Sequence, residues 1–431
     1  MGDPRRLIPR VDGLLADPRL AEAQVRLGRE LVRQVIADVQ NRARRGEIAP
    51  EQVHDAVLSA LPQRASVLRP IVNATGVLLH TNLGRAALSV GAVEAVVAAA
   101  GSVDVEFDVD TGRRARRGRQ VLDALMTAVP AAESVHVVNN NAAALALAAT
   151  SLAAGREIVL SRGEMVEIGD GFRIPDLLTS TGARLREVGT TNRTTLRDYA
   201  EAVGPQTGFV LKVHPSNFVV TGFTAQVPVR ELATLDATVV VDIGSGLLAP
   251  DPSLPDEPDA ASALADGAAL VTASGDKLLG GPQCGLLLGL RAYIEQLRRH
   301  PLARALRVDK LTLAALEATL RGPPAPIARM LHAGPDELRA RAESLQAGLA
   351  PLGVDVRAVP SQATIGGGGA PGLVLPSSAL SLPVAFANVL REHDPCIVGR
   401  VHAGRLLLDL RSVPPEQDPV LHDAIALAAP A

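Results

Sequence analysis

The chain has little of several residue types that mark particular classes of protein. It contains no tryptophan, two cysteines and only three lysines among its 43 basic residues. Two cysteines give no disulfide framework, and Cys284 and Cys396 lack the spacing of a zinc site. No uninterrupted apolar run approaches a membrane span, and the sequence opens without an apolar leader segment. These absences favour a protein of the reducing cytoplasm.

The scarcity of lysine excludes two further chemistries. None of Lys212, Lys277 and Lys310 precedes a serine or threonine, so the chain has no Walker A loop. Ser274 and Lys277 match the Ser-x-x-Lys pattern of penicillin-binding enzymes, but the companion Lys-Thr-Gly motif is absent. Arginine is the default cation here, and only lysine can lose its proton and form a Schiff base. A lysine in the glycine-rich turn Ser274–Gly281 therefore invites a chemical interpretation beside that of an exposed loop residue.

Short apolar runs alternate with helical stretches from about residue 67 onward. They lie at residues 135–138, 157–160, 208–213, 238–242 and 270–272, and residues 284–289 resemble a returning strand. Runs spaced in this way predict an α/β fold with a mostly parallel sheet. We expect a large domain over residues 67–312 and a smaller C-terminal α/β domain over residues 313–431. A helix over 301–320 and a proline-rich break at 322–326 mark the boundary.

Two features of the predicted C-terminal domain are visible in the sequence. The run Gly366–Gly369 lacks the preceding strand, following helix and distal acid of a dinucleotide-binding fingerprint, so we expect a loop. The apolar stretch Arg405–Leu410 predicts a late strand.

Residues 1–66 predict a small helical domain. Apolar residues at helical spacing indicate one amphipathic helix over residues 14–46 and a second over 51–61. Residues 1–70 carry twelve arginines, no lysine and nine acids. This excess of positive charge suits a nucleic-acid partner, whereas a dimerisation or packing arm explains the helices equally well.

Asp242 and Lys277 form the pair that points to a cofactor. Asp242 follows a run of valines and is expected at the carboxyl end of a buried parallel strand, where open α/β sheets bind ligands. Lys277 follows 35 residues later, which leaves room for one helix and one strand. Pyridoxal phosphate needs a lysine for its aldehyde and a carboxylate for its ring nitrogen. A turn-capping role is the alternative for Asp242.

The phosphate of such a cofactor needs a cradle. Asn139, Asn140 and Asn141 lead from a predicted strand into an Ala/Leu-rich helix, whose N-terminus suits a dianion. Asparagines at this position can equally cap the helix. Ser274, just before the lysine, offers one further hydrogen bond.

Arginines supply a second set of candidate anion ligands. Arg304 and Arg307 stand three residues apart, which predicts one shared helix face, and Arg85 follows a polar turn. A solvated helix face is the alternative for the pair. The arginine-rich run at residues 112–119 predicts either a nucleic-acid contact or a charged surface loop.

The chain resembles the bacterial selenocysteine synthase family, the L-seryl-tRNA(Sec) selenium transferases. The resemblance covers nearly the whole chain, and several strings occur in the family's order: Ile8–Leu15, Asn73–Arg85, Glu106–Asp108, Val138–Asn141, Ser161–Gly169, Glu187–Arg193, Lys212–Phe218, Ser274–Gly281 and His300–Lys310. Two places in the sequence depart from the family's pattern. Ala115–Arg117 replace a Gly-Ser-Arg sequence, and Cys284 stands where alanine is common, which suggests a small buried residue there.

The resemblance implies a fold-type-I enzyme of the pyridoxal phosphate family. It makes Lys277 the Schiff-base lysine and places Asp242 at the pyridine nitrogen. It further implies cofactor contacts by Asn139–Asn141, Ser274 and His214, and binding of selenophosphate by Arg85, Arg304 and Arg307. The N-terminal domain would bind the tRNA, and the family's assemblies are rings of dimers, decamers in particular, with active sites at the dimer interface.

The implied reaction converts L-seryl-tRNA(Sec) to L-selenocysteinyl-tRNA(Sec) through a dehydroalanyl intermediate. Lys277 is the expected base, and His80 and Asp276 are candidates for the acid that protonates the leaving hydroxyl. One alternative is a pyridoxal phosphate lyase acting on a small phosphorylated amino acid or amino sugar acid, against which the arginine-rich residues 1–66 argue. A catalytically inactive tRNA-binding scaffold is the other, and the intact Lys277 and Asp242 disfavour it.

Overall fold

The computed structural model of the chain describes residues 7–169 and 171–429. The chain divides into two compact units, Met1–Pro70 and Ile71–Ala431. None of the helices within the described ranges combines the length and apolarity that crossing a bilayer requires.

The N-terminal unit is helical. Its helices are α1 (Val11–Leu15), α2 (Ala21–Leu27), α3 (Arg29–Arg44) and α4 (Val53–Ala60). Leu14, Val32, Ile36 and Val53 are fully buried and form part of its core. The prediction of one helix over residues 14–46 is wrong, because Gly28 adopts a φ of 85° between α2 and α3. That left-handed conformation, open to glycine, breaks the helix.

A seven-stranded sheet forms the centre of the second unit. Its strands, in spatial order, are β5 (Ser134–Val138), β13 (Gly285–Gly289), β12 (Leu270–Ser274), β11 (Val239–Asp242), β10 (Thr207–Val213), β6 (Glu157–Ser161) and β9 (Arg184–Val188). Only β13 runs antiparallel to its neighbours. Every residue of β11 and β13 is buried, which explains why these strands read as continuous apolar runs. All six strands predicted in this region are confirmed.

Helices surround this sheet, and two short hairpins form separate two-stranded sheets. The helices are α5 (Val90–Ala100), α6 (Arg119–Ala128), α7 (Asn141–Ala153), α8 (Ile174–Ser180), α9 (Leu196–Ala202), α10 (Val229–Leu232), α11 (Ala260–Ala265), α12 (Arg291–Arg299), α13 (Pro301–Ala305) and α14 (Lys310–Arg321). The hairpins pair β3 (Phe107–Asp108) with β4 (Arg113–Arg114) and β7 (Glu167–Ile168) with β8 (Phe172–Arg173). Part of the arginine-rich run at 112–119 therefore lies in a hairpin.

The predicted single helix over 301–320 is also wrong. It is divided into α13 and α14, because the chain leaves the helix at Leu306 and Arg307. Arg307 pairs with Val138 at the end of β5, and Asp309 then caps α14 by accepting hydrogen bonds from the next turn. Arg304 lies in α13 and Arg307 lies beyond it, so the two arginines do not share a helix face.

The C-terminal region forms a second, smaller α/β layer. Its five-stranded sheet has the order β17 (Arg400–His402), β18 (Arg405–Asp409), β15 (Val374–Pro383), β14 (Arg357–Gly366) and β2 (Val77–Leu79), while β1 (Ile71–Asn73) pairs with β16 (Cys396–Val398). Its helices are α15 (Pro326–His332), α16 (Pro335–Leu349), α17 (Phe386–Glu392) and α18 (Asp418–Leu427). The late strand predicted at 405–410 is confirmed as β18. Residues 71–79 thus contribute strands to the C-terminal layer.

Candidate active site

Lys277 lies in a cavity of about 310 Å³ at the carboxyl ends of the central strands. Asp242 ends β11, Ser274 ends β12, and Asn141 begins α7 directly after β5. All three side chains line the same cavity as Lys277. Since parallel strands present their carboxyl ends at one edge, residues far apart in the sequence meet here. We call this space the Lys277 cavity.

Asp242 is held by two hydrogen bonds to one of its oxygens. Asn141 Nδ2 donates to Oδ1 at 2.7 Å, and Thr272 Oγ1 donates to the same oxygen at 2.8 Å. No donor among the described residues reaches Oδ2. Burial raises the pKa of the Asp242 carboxyl, although both hydrogen bonds oppose that shift. A cationic N–H at Oδ2 would offset the cost of burying this charge.

The amine of Lys277 differs from those of the other two lysines. Lys212 Nζ donates to Glu164 Oε1 at 2.5 Å, and Lys310 Nζ donates to the carbonyl oxygen of Gly101. No hydrogen bond joins Lys277 Nζ to any described residue. Burial lowers the pKa of Lys277, and the charge of Asp242 only partly opposes this effect. Lys277 therefore carries the amine best suited to act as a nucleophile or a base.

The three asparagines have three different roles. The side chain of Asn140 caps α7 by accepting the amide of Ala143 at 2.8 Å, while Asn141 holds Asp242. Asn139 does not line the cavity, and its backbone amide donates to Leu306. Asn141 and Ala142, the first residues of α7, line the cavity, and the first amides of a helix have no acceptor within it. The helix N-terminus, with Ser274 beside it, remains the candidate phosphate site.

Arg85, Asp276 and His214 also belong to the polar lining. Arg85 donates to Asp276 Oδ2 at 2.5 Å, so this carboxylate is engaged by an arginine. His214 lines the cavity next to Asp242, and its Nε2 lies 3.2 Å from Glu257 Oε2. His80 does not line the cavity. The structure therefore brings Asp276, but not His80, to the predicted reaction centre.

Arg304 and Arg307 line a different cavity, of about 410 Å³. We call it the arginine cavity, and its charged lining residues are Arg116, Arg117, Arg298, Arg299, Arg304 and Arg307. No carboxylate lines it, and it shares no lining residue with the Lys277 cavity. Arg307 and Arg117 also contact Glu106, at 3.5 and 3.3 Å. Within one chain, these arginines therefore line a cavity separate from that of Lys277.

Sequence reasoning missed two parts of the site. Glu257 lies in the loop between β11 and α11, and its carboxylate is fully buried against His214. The glycine run is a loop only from Gly367 to Gly369, because Gly366 ends β14, so the expectation that no strand precedes the run is wrong. The loop packs directly on the lysine: a Cβ at Gly368 would overlap the side chain of Lys277. The fourfold glycine repeat was the signal for such a close approach.

Cys284 is fully buried, and burial raises the pKa of its thiol to about 12. A thiol held protonated in this way is a poor nucleophile. Its environment supports a packing role.

These groups fit pyridoxal phosphate, which needs an amine, a carboxylate for its ring nitrogen and donors for its phosphate. Lys277 presents an amine without a hydrogen-bond partner among the described residues. Asp242 presents an oxygen that accepts no bond from them, and the N-terminus of α7 opens onto the same cavity.

Comparison with known proteins gives this arrangement a family. The family model for L-seryl-tRNA selenium transferase matches residues 71–414, and that for the selenocysteine synthase N-terminal region matches residues 5–44. The chain belongs to the L-seryl-tRNA(Sec) selenium transferase family. The resemblance predicted from the sequence strings is confirmed.

Relatives in the selenium transferase family match almost end to end. The protein named L-seryl-tRNA(Sec) selenium transferase of Moorella thermoacetica is 42% identical over 458 aligned positions, which cover 98% of this chain and 96% of that protein. The protein of the same name from Edwardsiella ictaluri is 42% identical and covers 95% of this chain and 96% of its own length.

The fold is shared with a solved structure of D-glucosaminate-6-phosphate ammonia-lyase. That structure covers 84% of this chain and 97% of its own, with a TM-score of 0.59 and 18% identity. This likeness confirms the predicted fold class, an α/β transferase fold with a mostly parallel sheet and a smaller C-terminal layer.

Proposed function

We propose that this chain converts L-seryl-tRNA(Sec) to L-selenocysteinyl-tRNA(Sec) in the cytoplasm, with selenophosphate as the selenium donor and pyridoxal phosphate as cofactor. The observation that carries the proposal is the pairing of Lys277 and Asp242 in one cavity. It occurs in a chain 42% identical, over nearly its full length, to proteins named for this reaction.

Several residues of the Lys277 cavity would hold the cofactor. Lys277 would bind the aldehyde, Asp242 the protonated ring nitrogen, and the N-terminus of α7 with Ser274 the phosphate. Asn141 fixes the orientation of Asp242 through its 2.7 Å hydrogen bond. When bound, pyridoxal phosphate supplies an electron sink for negative charge at the Cα atom of an amino acid.

Lys277 would then move the Cα proton of the seryl group. Its lowered pKa increases the fraction of neutral amine near pH 7, which is the form that accepts a proton. Arg85 stands in the same cavity with its guanidinium at Asp276. It would offer positive charge to the selenophosphate anion as that anion approaches.

The remaining anion ligands would come from a second subunit. Arg304 and Arg307 line a cavity that shares no residue with the Lys277 cavity, which supports an active site completed by the partner subunit's Arg304 and Arg307. An apolar face on α5 offers a contact surface, since Val90 and Val97 are 76% and 70% exposed. We propose a homo-oligomer built as a ring of dimers, with a decamer as the family's form.

The N-terminal domain, residues 1–66, would bind the tRNA. The selenocysteine synthase N-terminal family model matches residues 5–44, and twelve arginines lie within residues 1–70. Such charge suits a phosphate backbone. Removing residues 1–66 should abolish binding of tRNA(Sec) while cofactor still binds, and unchanged tRNA affinity would argue for a packing arm.

The direct test supplies seryl-tRNA(Sec) and radiolabelled selenophosphate and measures label on the tRNA. We expect label on the aminoacyl group, recovered as selenocysteine after mild alkaline hydrolysis. Unlabelled tRNA, together with ammonia release from a small phosphorylated amino acid, would instead support the lyase interpretation.

A further inference from the structure

Glu257 connects two parts of the molecule that meet at Lys277. It lies in a proline-rich loop after β11, and its side chain is completely buried. One oxygen, Oε2, makes two contacts: His214 Nε2 at 3.2 Å and the backbone amide of Ala370 at 2.6 Å. His214 follows β10 of the central sheet, whereas Ala370 follows β14 of the C-terminal sheet. A single buried carboxylate oxygen therefore joins both layers beside the cavity.

The Ala370 end of this connection belongs to the loop that covers Lys277. Gly366 and Gly368 have φ values of 90° and 101°, and Ala370 has a φ of 42°. Ala370 is thus a non-glycine residue in the left-handed region, which is unfavourable unless surrounding contacts hold it. The Glu257 carboxylate supplies such a contact, and Gly368 lies so near Lys277 that any side chain would overlap it.

The His214 end belongs to the floor of the cavity. The His214 amide donates to the Asp242 carbonyl at 3.1 Å, so the two residues are fixed side by side. Burial tends to raise the pKa of Glu257, but the His214 hydrogen bond and charge, with Ser245 and the Ala370 amide, outweigh it and hold the pKa below its usual value. The carboxylate is therefore charged, and a charged acceptor makes the stronger hydrogen bond. Asp242, Glu164 and Lys277 are the other ionisable groups that act electrostatically on this cluster.

We propose that Glu257 is a positioning residue, which ties His214 and the Gly366–Ala370 loop together so that the loop covers Lys277. Glu257 does not line the Lys277 cavity, so it acts through its two neighbours. Loss of the carboxylate releases both at once. The loop then opens over the lysine, and the His214 ring loses its orientation. The inference rests on Lys277 being the cofactor lysine of the proposed function, but the contact itself is independent of any substrate.

The test measures hydrogen–deuterium exchange of residues 364–373 in the full-length protein without cofactor. Glu257→Ala should accelerate exchange in this segment about ten-fold, since one hydrogen bond to a charged acceptor is lost. Glu257→Gln keeps an oxygen for both donors and should remain within about two-fold of the wild type. Exchange in Glu257→Ala equal to that of the wild type would overturn the proposal.

Asp259→Asn is the matched control. Asp259 is equally buried in the same loop, but its side chain caps α11 through Ser262 and contacts neither His214 nor Ala370. If Asp259→Asn accelerates exchange at 364–373 as much as Glu257→Ala does, the effect is general loosening and the proposal fails. Should Glu257→Ala not fold, Glu257→Asp shortens the side chain by one methylene and should give an intermediate acceleration. An exchange rate in Glu257→Asp equal to that of the wild type would contradict the positioning role of Glu257.

Two readouts with the cofactor separate a positioning role from a merely structural one. Glu257→Ala should lower kcat while leaving KM for seryl-tRNA(Sec) unchanged, and Glu257→Gln should recover most of the loss. Glu257→Ala should also shift the pH at which the absorbance of the bound cofactor changes, because Glu257 acts electrostatically on Lys277. If the exchange result holds but no selenium transfer occurs in the wild type, the proposed function fails and the loop contact stands.

Discussion

The Lys277 cavity and the arginine cavity differ in how their charges are balanced. In the first, Lys277 and Arg85 are accompanied by the carboxylates of Asp242 and Asp276. In the second, six arginines line about 410 Å³ without one carboxylate in the lining, and Glu106 and Glu295 pair with three of them from outside it. A cavity lined by both cations and carboxylates can hold an ionisable cofactor and shift the pKa values of its groups. A cavity whose charged lining residues are all arginines attracts an oxyanion. We therefore assign proton transfer to the Lys277 cavity and most of the anion recognition to the arginine cavity.

Neither cavity alone contains what the proposed reaction needs. The Lys277 cavity has the base and the cofactor ligands but only one arginine, Arg85. The arginine cavity has the donors for a phosphate-like group but no lysine. The separation within one chain is therefore an argument for a composite site made by two chains, which mutation can test.

The largest expected effect comes from removing the amine. Lys277→Ala should reduce selenium transfer by at least about 10³-fold, because base catalysis and cofactor attachment are both lost. Selenium incorporation into tRNA measures it, and borohydride reduction followed by peptide mapping shows where the cofactor binds in the wild type.

Lys310→Ala is the control for this change, since its half-buried side chain lies outside the Lys277 cavity and its amine donates to the Gly101 carbonyl oxygen. It should retain nearly full activity. Recovery of reduced cofactor on Lys212 or Lys310, in place of Lys277, would show that the Lys277 cavity is not the cofactor site.

The second effect concerns the arginine cavity. Arg304→Ala and Arg307→Ala should each raise KM for selenophosphate about 10- to 100-fold, the equivalent of one charged hydrogen bond of ~1.5–3 kcal/mol. The cofactor absorbance should not change. Arg197→Ala, at an exposed i,i+4 pair with Glu201, is the control and should leave KM as it is. Loss of the cofactor in the Arg304 or Arg307 variant would mean that these residues support the Lys277 cavity.

Mixed assemblies sharpen the same comparison. Lys277→Ala chains and Arg304→Ala/Arg307→Ala chains should each be inactive by themselves at low selenophosphate. If one site uses Lys277 from one subunit and both arginines from the other, a mixed dimer contains one intact site. Activity should then reappear on co-assembly. No recovery in demonstrably mixed assemblies would place all three residues in a site formed by one chain.

The sequence predicted the Lys277 cavity better than the arginine cavity, for a physical reason. Asp242 and Lys277 follow strands whose apolar runs are readable, and the geometry of a parallel sheet then brings strand ends together. The position of Arg307 depends instead on Asp309 capping α14 and on a bridge to Val138. The helical spacing of Arg304 and Arg307 gives no warning of that break.

Glu257 shows the same limit. Its function depends on two neighbours that are 43 and 113 positions away in the sequence. Nothing local distinguishes it from the acids around it in the loop at 250–259. Gly368 carried a local signal, but only the folded chain shows that the residue it accommodates is Lys277.

The last effect is on stability and not on activity, and it tests the charge of the arginine cavity through His136, which also lines it. Burial lowers the pKa of this histidine to about 4, and the charges of Arg298 and Arg116 add to the shift, while Glu295 opposes it. The unfolded chain binds the proton near pH 6.5. Protonation therefore favours unfolding, so the contribution of neutral His136 is fully present above about pH 6.5 and is lost as the pH falls toward 4.

This fall in the free energy of unfolding amounts to about 3 kcal/mol at most. His136→Asn should abolish this part of the pH dependence, because asparagine does not titrate. Urea unfolding at pH 7.5 and pH 4.5 measures the effect as a smaller decrease in stability for the variant than for the wild type. His402→Asn, at an exposed position on β17, should lose as much stability as the wild type. Added phosphate should reduce the wild-type loss in part, because an anion at Arg298 and Arg116 offsets the charges that add to the effect of burial on the pKa of His136. An identical decrease with and without phosphate would mean that this cavity does not bind oxyanions, and that its charges are balanced in some other way.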